Sequence, residues 1–302
     1  MFVPSYIRLF QSSELKERIK ILNSKLMECT LCPRRCGVNR INGEIGYCRG
    51  GKEITISSAF SHFGEEAPLV GVSGSGTIFL THCNLRCLFC QNYDISHHGN
   101  GTTSSLDKIT KVMIKLQTIG CNNINFVTPT HFTPQIVEAL PQAITMGLNV
   151  PLVYNCGGYE AVEVLELLEE IVDIYMPDMK FMDGTVSQKY CKAPDYPEVV
   201  KAAIKEMHRQ VGDAQINEHG IMERGLLVRH LVMPNSLAGS SECFRFLAEE
   251  ISKDTYINIM AQYYPCYEAS RDEKISRRIT SQEYQETIKQ AKKYGLHRGF
   301  LE

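Results

Sequence analysis

The chain has 302 residues, of which 43% are hydrophobic, which is enough to bury one sizeable core or a core with a small appendage. Its 32 Lys and Arg against 34 Asp and Glu leave a net charge of -2, so nothing in the charge balance favours a nucleic-acid partner. No apolar run reaches the roughly 18 residues of a membrane span, and residues 1–20 have no signal-peptide core. We therefore expect a cytoplasmic protein with no membrane partner.

The first 76 residues are predicted to form an N-terminal helix followed by a cysteine-rich module. Leu15, Ile19, Leu22 and Leu26 recur at helical spacing, which predicts a helical lead over residues 1–28. Residues 29–76 contain four cysteines, many glycines and short turns. This composition predicts a small irregular module that is held by its ligands rather than by a core, and a domain boundary at residue 76.

From residue 77 to residue 302 we predict a second domain, in which short β-rich runs alternate with amphipathic helices. The predicted strands are 77–81, 124–128, 152–155, 172–176, 226–232 and 256–260. The predicted helices are 106–119, 134–146, 159–170, 196–210, 240–252 and 281–293. Such alternation is typical of parallel βαβ units, and six strands are too few for a closed eight-stranded barrel. We therefore predict an α/β fold, a partial, open (β/α)6 TIM-like barrel, with function at the carboxyl ends of its strands.

Twelve cysteines are many for a chain of this length, and seven of them fall in two groups. Without a secretion signal they are expected to stay reduced, and clustered reduced cysteines indicate metal. The other five, which are scattered, are expected to be small buried hydrophobes. These are Cys121, Cys156, Cys191, Cys243 and Cys266.

The second group, Cys83, Cys87 and Cys90, comes directly after the first predicted strand. Thiolates suit iron–sulfur clusters, and three of them would leave one iron of a [4Fe–4S] cube without a protein ligand. An open coordination position is typical of a catalytic metal site. The alternatives are three buried cysteines, a zinc site or a non-catalytic iron–sulfur electron carrier.

The Cys-x3-Cys-x2-Cys spacing, with Phe89 before the last cysteine, resembles the signature of the radical SAM superfamily. The resemblance implies a [4Fe–4S] cluster whose open iron chelates S-adenosylmethionine (SAM). One electron from the reduced cluster then cleaves SAM to a 5′-deoxyadenosyl radical, which abstracts hydrogen from a substrate. Phe89 matches the aromatic residue that lies by the adenine in that family. The chain is accordingly predicted to be a radical SAM oxidoreductase, with no residue assigned as catalytic.

Polar residues at later strand ends are candidates to contact SAM. Asp178 and Lys180 resemble an Asp-Leu-Lys stretch, and Arg229 an Arg-bearing strand, of pyruvate formate-lyase activating enzymes. The usual Gly-Gly-Glu motif is absent, and Thr128, Thr130 and His131 occupy its place. The full set of predicted cofactor-binding residues is Phe89, Thr128, Thr130, His131, Asn155, Asp178, Lys180 and Arg229.

The first cysteine group consists of Cys29, Cys32, Cys36 and Cys48. Four thiolates saturate either a structural Zn²⁺ or a second iron–sulfur cluster, and either would fix a segment that has no core of its own. Disulfide pairing is the alternative. The spacing does not distinguish zinc from iron.

The whole chain is most similar to an activating-enzyme-like subgroup of iron–sulfur proteins. This implies a glycyl radical enzyme as the substrate, and a reductant such as flavodoxin or ferredoxin. The alternative is the same radical chemistry on a small molecule or a peptide side chain.

Overall fold

The structure is a computed structural model that describes residues 2–300. Its strands are β1 Ile54–His62, β2 Ser75–Leu80, β3 Thr102–Ser104, β4 Ile124–Val127, β5 Leu152–Cys156, β6 Ile174–Pro177, β7 Gln215–Ile216, β8 Met222–Leu231 and β9 Tyr256–Met260. Its helices are α1 Ser5–Gln11, α2 Glu14–Ser24, α3 Ala67–Val70, α4 Tyr93–Ser96, α5 Leu106–Thr118, α6 Thr133–Thr145, α7 Val162–Leu165, α8 Gly184–Cys191, α9 Tyr196–Val211, α10 Ser240–Phe246 and α11 Ser281–Lys293.

Six strands run parallel in the order β2, β4, β5, β6, β8 and β9, as the sequence predicts. Antiparallel β1 and β3 extend the sheet beyond β2, and antiparallel β7 pairs with β8. Within residues 2–300 no pairing joins β9 to β1 or β3, so the sheet is open. This confirms the α/β class and the partial barrel.

Successive side chains along each strand point to opposite faces of the sheet, so they pack into two separate hydrophobic cores. Val153, Met176 and Leu227 pack with Leu69 of α3 inside the curved sheet. Their neighbours in sequence point outward, into the larger core between the sheet and the helices. Because side chains of one face recur every second residue, the positions two residues further along β5, β6 and β8 lie above this inner core.

The helices form where the sequence provides caps and an apolar stripe. Ser105 caps α5 by accepting the backbone N–H of Lys108 at 3.2 Å, and Ile109, Met113 and Leu116 form its buried face. Thr280 and Glu283 form a capping box at the start of α11. No helix within residues 2–300 is long and apolar enough to cross a lipid bilayer.

Three local predictions were wrong. The predicted helix over residues 1–28 is two helices, which are separated at Ser13 with φ 67°. The predicted irregular module over 29–76 contains β1, a nine-residue strand of the main sheet. Of the helix predicted over 159–170, only α7 is α-helical, and a 3-10 turn follows it at Glu166–Leu168. The division into domains at residue 76 stays a prediction.

Candidate functional site

A cavity of about 240 Å³ opens at the carboxyl ends of the parallel strands. The residues from the sequence-predicted set that line it are Cys83, Cys87, Phe89, Cys90, Thr128, Asn155, Asp178, Lys180 and Arg229. Its remaining walls are largely apolar and include Leu231, Met233 and Met260. The fold thus brings most of the predicted site residues, from five separate stretches of chain, to one place.

The loop that carries Cys83, Cys87 and Cys90 is fixed by backbone hydrogen bonds to neighbouring elements. The N–H of His82 donates to the carbonyl of Ile95 at 2.8 Å, at the end of α4. The N–H of Leu88 donates to the carbonyl of Tyr190 in α8 at 2.9 Å. Glu268, after β9, donates its N–H to the carbonyl of Leu88 at 3.0 Å. The loop with the three thiols is therefore held in place by α4, by α8 and by the segment after β9.

The sulfurs of Cys83 and Cys90 each have a close polar neighbour. The N–H of Leu85 donates to Cys83 Sγ at 3.3 Å, and Cys90 Sγ lies 3.1 Å from Ser96 Oγ. Burial raises the pKa of the Cys83 and Cys90 thiols. These groups are therefore neutral thiols in the cofactor-free protein, and metal binding would have to displace their protons.

Cys191 adds a fourth sulfur to this group. Its Sγ, in α8, lies 3.2 Å from Cys87 Sγ, and this contact, followed by burial, raises the pKa of Cys87. Cys156 also borders the cavity, but its thiol is hydrogen-bonded to the buried carboxyl of Glu160. Within residues 2–300, no three His, Cys, Asp or Glu side chains are placed to hold a single metal ion. Binding a cluster therefore requires the three thiols of the loop to turn toward it.

A group of charged and amide side chains also lines the cavity. Arg229 Nε donates to Asp178 Oδ1 at 2.8 Å, and Arg229 Nη2 donates to Asn155 Oδ1 at 2.7 Å. Lys180 Nζ donates to the other carboxylate oxygen of Asp178. Asn155, Asp178 and Arg229 each stand two residues beyond an inner-core residue of β5, β6 or β8, which explains why they face the cavity.

Electrostatics keep all three charged groups ionised despite their burial. Burial alone would raise the pKa of Asp178, but Arg229 and Lys180 hold it below its usual value. Burial alone would lower the pKa of Lys180, but the carboxylate of Asp178 raises it. Asp178 thus pairs with two cations, and Arg229 Nη1 also lies 3.9 Å from Glu66 Oε1. An anionic group of a ligand would be attracted to Lys180, which shares Asp178 with Arg229.

The backbone at this wall is tightly constrained. The hydroxyl of Tyr196 accepts the N–H of Lys180 at 3.0 Å and lies 2.9 Å and 2.7 Å from the carbonyl oxygens of Gly157 and Asp178. Gly158 has φ 76°, and a Cβ there would lie 2.3 Å from the Asp178 carbonyl oxygen. Thr128 also has positive φ, 60°, which is uncommon for a residue other than glycine.

Two predicted residues do not reach the cavity. Thr130 donates its hydroxyl to Glu160 at 2.7 Å, and His131 Nε2 lies 2.8 Å from the carbonyl oxygen of Thr81. Both are buried, and neither lines the cavity. Phe89 does line it and packs edge-to-face against Phe181, with ring centroids 5.8 Å apart.

The first cysteine group lies outside the cavity. Cys29, Cys32 and Cys48 are buried and Cys36 is exposed. Burial raises the pKa of Cys32 to about 12. The module contacts the loop of the second group, because Arg34 Nε donates to the carbonyl of Asn84 at 3.0 Å.

Sequence reasoning missed several neighbours of the site, above all Cys191 and Tyr196. Neither has a spacing that links it to the Cys83–Cys90 loop in the sequence. A signal for α8 was present, since Asp183 precedes it and accepts the N–H groups of Thr185 and Val186 at 2.8 and 2.9 Å. That signal predicts the helix, but not the contact between its last residue and Cys87.

Sequence comparisons with known proteins gave two matches. The sequence model of the radical SAM superfamily matches residues 77–222. An uncharacterised protein of Methanocaldococcus jannaschii is 33% identical over 286 residues, which cover 92% of this chain and 78% of the relative.

Two of the solved structures that match overlap with most of this chain. HydG, a maturase of the [FeFe]-hydrogenase, superposes on 74% of this chain with a TM-score of 0.50 and 10% identity, and the chain spans about half (50%) of its length. TYW1 with a lysine–pyruvate adduct bound superposes on 72% of this chain and 73% of its own, with a TM-score of 0.43 and 11% identity. By its sequence match and its open α/β sheet, the chain belongs to the radical SAM superfamily, whose members are enzymes that do radical chemistry with a [4Fe–4S] cluster and SAM.

Proposed function

We propose that Cys83, Cys87 and Cys90 hold a [4Fe–4S] cluster and that the adjoining cavity binds SAM. The observation that carries the proposal is that the three thiols and the Asp178–Lys180–Arg229 group line one cavity. Thiolates are the ligands that iron–sulfur clusters take, and three of them leave one iron free for SAM. When bound and reduced, the cluster supplies the electron that cleaves SAM to a 5′-deoxyadenosyl radical.

The residues of the chain would bind and orient SAM. Lys180 is the cation best placed to attract its carboxylate, since it lies close enough to the three cysteines to influence the pKa of each. Arg229 and Asn155 form a fixed hydrogen-bonding pair at the same wall. Phe89, Leu231 and Met260 supply apolar surface that limits the access of water. Thr130 and His131 are left out of this proposal because their side chains are engaged elsewhere.

The direct test is anaerobic reconstitution with iron and sulfide, reduction with dithionite, and measurement of 5′-deoxyadenosine formed from SAM. We expect product from the wild-type chain and at least a hundred-fold less from Cys87→Ala. Cys243→Ala, which removes a buried thiol in α10, is the matched control and should retain product formation. A reconstituted wild-type protein that binds iron but forms no 5′-deoxyadenosine would contradict the proposal.

For the substrate, we propose first a glycyl radical enzyme, with flavodoxin or ferredoxin as the reductant. The proposal rests on the similarity of Asp178, Lys180 and Arg229 to the activating enzymes and on their joint placement at the cavity wall. Its test is the EPR signal of a glycyl radical in a partner incubated with the reduced enzyme and SAM. SAM cleavage without such a signal in any candidate partner would count against it.

The second candidate is a small molecule or a peptide side chain. The apolar lining by Leu231, Met233 and Met260 favours it, because such a wall suits a substrate that enters the cavity itself. Transfer of deuterium from a labelled metabolite into 5′-deoxyadenosine would establish this candidate. Absence of transfer from every metabolite pool tested would exclude it.

A further inference from the structure

The segment that carries Cys29, Cys32, Cys36 and Cys48 is folded so that the four thiols share one region. The N–H of Cys29 donates to the carbonyl of Val38 at 3.0 Å, and the N–H of Gly37 donates to the carbonyl of Cys29 at 3.1 Å. A Cβ on Gly46 would lie 2.5 Å from Cys36 Sγ. The stretch just before Cys48 therefore passes directly over Cys36, and a side chain at residue 46 would displace that sulfur.

One of these sulfurs has the same local hydrogen bond as a sulfur of the cavity. The N–H of Gly50 donates to Cys48 Sγ at 3.4 Å, and the N–H of Leu85 donates to Cys83 Sγ at 3.3 Å. In both cases the donor is two residues after the cysteine. Hydrogen bonds of this kind are made to metal-bound sulfurs.

The burial of Arg40 is independent evidence that a negative charge belongs near these cysteines. Arg40 is 1% exposed, and its guanidinium donates only to carbonyl oxygens, those of Gly51 and His131. Within residues 2–300 its guanidinium forms no ion pair with a carboxylate. A buried cation without a counter-charge is strongly unfavourable. A Cβ on Gly50 would lie 3.2 Å from Arg40 Nη2 and 3.5 Å from Cys48 Sγ, so the guanidinium and the thiol both lie against Gly50.

We propose that Cys29, Cys32, Cys36 and Cys48 form a dianionic tetrathiolate metal centre, and that buried Arg40 offsets part of its charge. Four thiolates around one Zn²⁺, or around one [4Fe–4S]²⁺ cube, both give a net charge of about -2. Binding has to draw the sulfurs closer together than they stand in the metal-free chain. Disulfide pairing of the same cysteines would give no charge and would leave Arg40 unbalanced.

The centre would also support the Cys83–Cys90 loop. Arg34, which lies between Cys32 and Cys36, stacks on the ring of Tyr47 at 4.0 Å and donates to the carbonyl of Asn84. Arg86 Nη2 donates back to the carbonyl of Tyr47 at 3.4 Å. Arg34 and Tyr47, which lie between the cysteines of the first group, are thus hydrogen-bonded to Asn84 and Arg86, which lie between Cys83 and Cys87.

The first test is metal analysis of the full chain in which Cys83, Cys87 and Cys90 are all replaced by Ala, so that SAM chemistry plays no part. We expect either one zinc or four iron per chain after anaerobic purification, and a further Cys36→Ala exchange should remove the metal. Cys36 is exposed, so its replacement should leave the far-ultraviolet circular dichroism unchanged. A folded, metal-free triple variant, even after incubation with zinc or with iron and sulfide, would overturn the proposal.

The second test addresses the charge of Arg40. In the same triple background, Arg40→Met should speed the loss of metal to a chelator by at least ten-fold, and Arg40→Lys should restore part of the retention. The matched control is Arg35→Met in the same loop, because Arg35 is exposed and pairs with the carboxylate of Glu163. Equal rates of metal loss in the Arg40→Met and Arg35→Met variants would show that Arg40 does not offset the charge of the centre.

Discussion

The sulfur atoms of Cys87 and Cys191 lie 3.2 Å apart in the cluster-free chain. Both residues are buried, Cys87 in the loop after β2 and Cys191 at the end of α8. The distance is longer than a disulfide bond of about 2 Å but short for two sulfurs that are not bonded. When Cys87 is not bound to a cluster, it is therefore held next to a second thiol, with which it can form a disulfide if an oxidant is supplied.

We predict that oxidation of the cluster-free chain joins Cys87 to Cys191. With diamide as the oxidant, both thiols lose their hydrogens, an S–S bond forms, and the azo group takes up the two electrons and two protons. Peptide mapping by mass spectrometry without reductant should find the Cys87–Cys191 pair as the main new crosslink. The pair should be absent from Cys191→Ser and unchanged in Cys243→Ser, and a different main partner for Cys87 would contradict the prediction.

Cys191 itself is not expected to be a cluster ligand. The three loop cysteines already provide the number of thiolates that leaves one iron open for SAM, and a fourth would close it. Reconstituted Cys191→Ala should therefore retain the wild-type iron content, whereas Cys83→Ala should lose it. Iron analysis of both variants checks this. Loss of iron from Cys191→Ala, with its circular dichroism unchanged, would make Cys191 a ligand.

Lys180 is expected to contribute a large share of the affinity for SAM. A charge-assisted hydrogen bond to a carboxylate is worth about 1.5–3 kcal/mol, so Lys180→Gln should weaken binding about 10- to 100-fold. Equilibrium dialysis with reconstituted, unreduced protein measures this without turnover. Lys189→Gln, which removes an exposed lysine that pairs with Asp272, is the control. Equal affinities in the two variants would exclude Lys180 from the binding site.

Tyr196 is expected to hold the cavity wall in place from behind. Its hydroxyl links the backbone of Lys180 to those of Gly157 and Asp178. Tyr196→Phe leaves these buried groups without a partner, which should lower the free energy of unfolding by about 1–3 kcal/mol and weaken SAM binding. Thermal unfolding and dialysis measure the two effects. Tyr284→Phe, which removes a hydroxyl bonded to the Ile259 carbonyl, should leave SAM affinity unchanged.

The sequence predicts the parallel strands well because each strand is marked by a local pattern of apolar residues. All six parallel strands and the carboxyl-end location of Cys83, Asn155 and Asp178 follow from apolar runs that alternate with helical spacing. β1 was missed because only Ile54 and Ile56 of its nine residues are buried, so it lacks the apolar run that marks the parallel strands. The contact between Cys87 and Cys191 is set by how α8 packs. Arg40 is unexceptional in the sequence, and only burial reveals its missing counter-charge.

His230 is expected to make the stability of the folded chain depend on pH. It stands on the outer face of β8, where Nδ1 lies 2.8 Å from the carbonyl oxygen of Met179 and Nε2 lies 2.9 Å from Ser240 Oγ. The neutral ring satisfies both contacts if Nδ1–H donates and Nε2 accepts. Burial lowers its pKa to about 4, although the Met179 carbonyl opposes the shift.

The direction of this pH dependence is set by whether the folded or the unfolded chain binds the proton more readily. In the unfolded chain a histidine titrates near pH 6.5, so below that pH the unfolded state gains a proton that the folded state resists. The contribution is therefore fully present above pH 6.5 and is lost as the pH falls toward 4. Between pH 7.5 and 5.5 it should lower the free energy of unfolding by about 1 kcal/mol. Thermal unfolding of His230→Gln, which has no group that titrates there, should show a correspondingly smaller difference between these two pH values. A variant whose unfolding midpoint falls as steeply with acid as that of the wild type would show that His230 is not the group responsible.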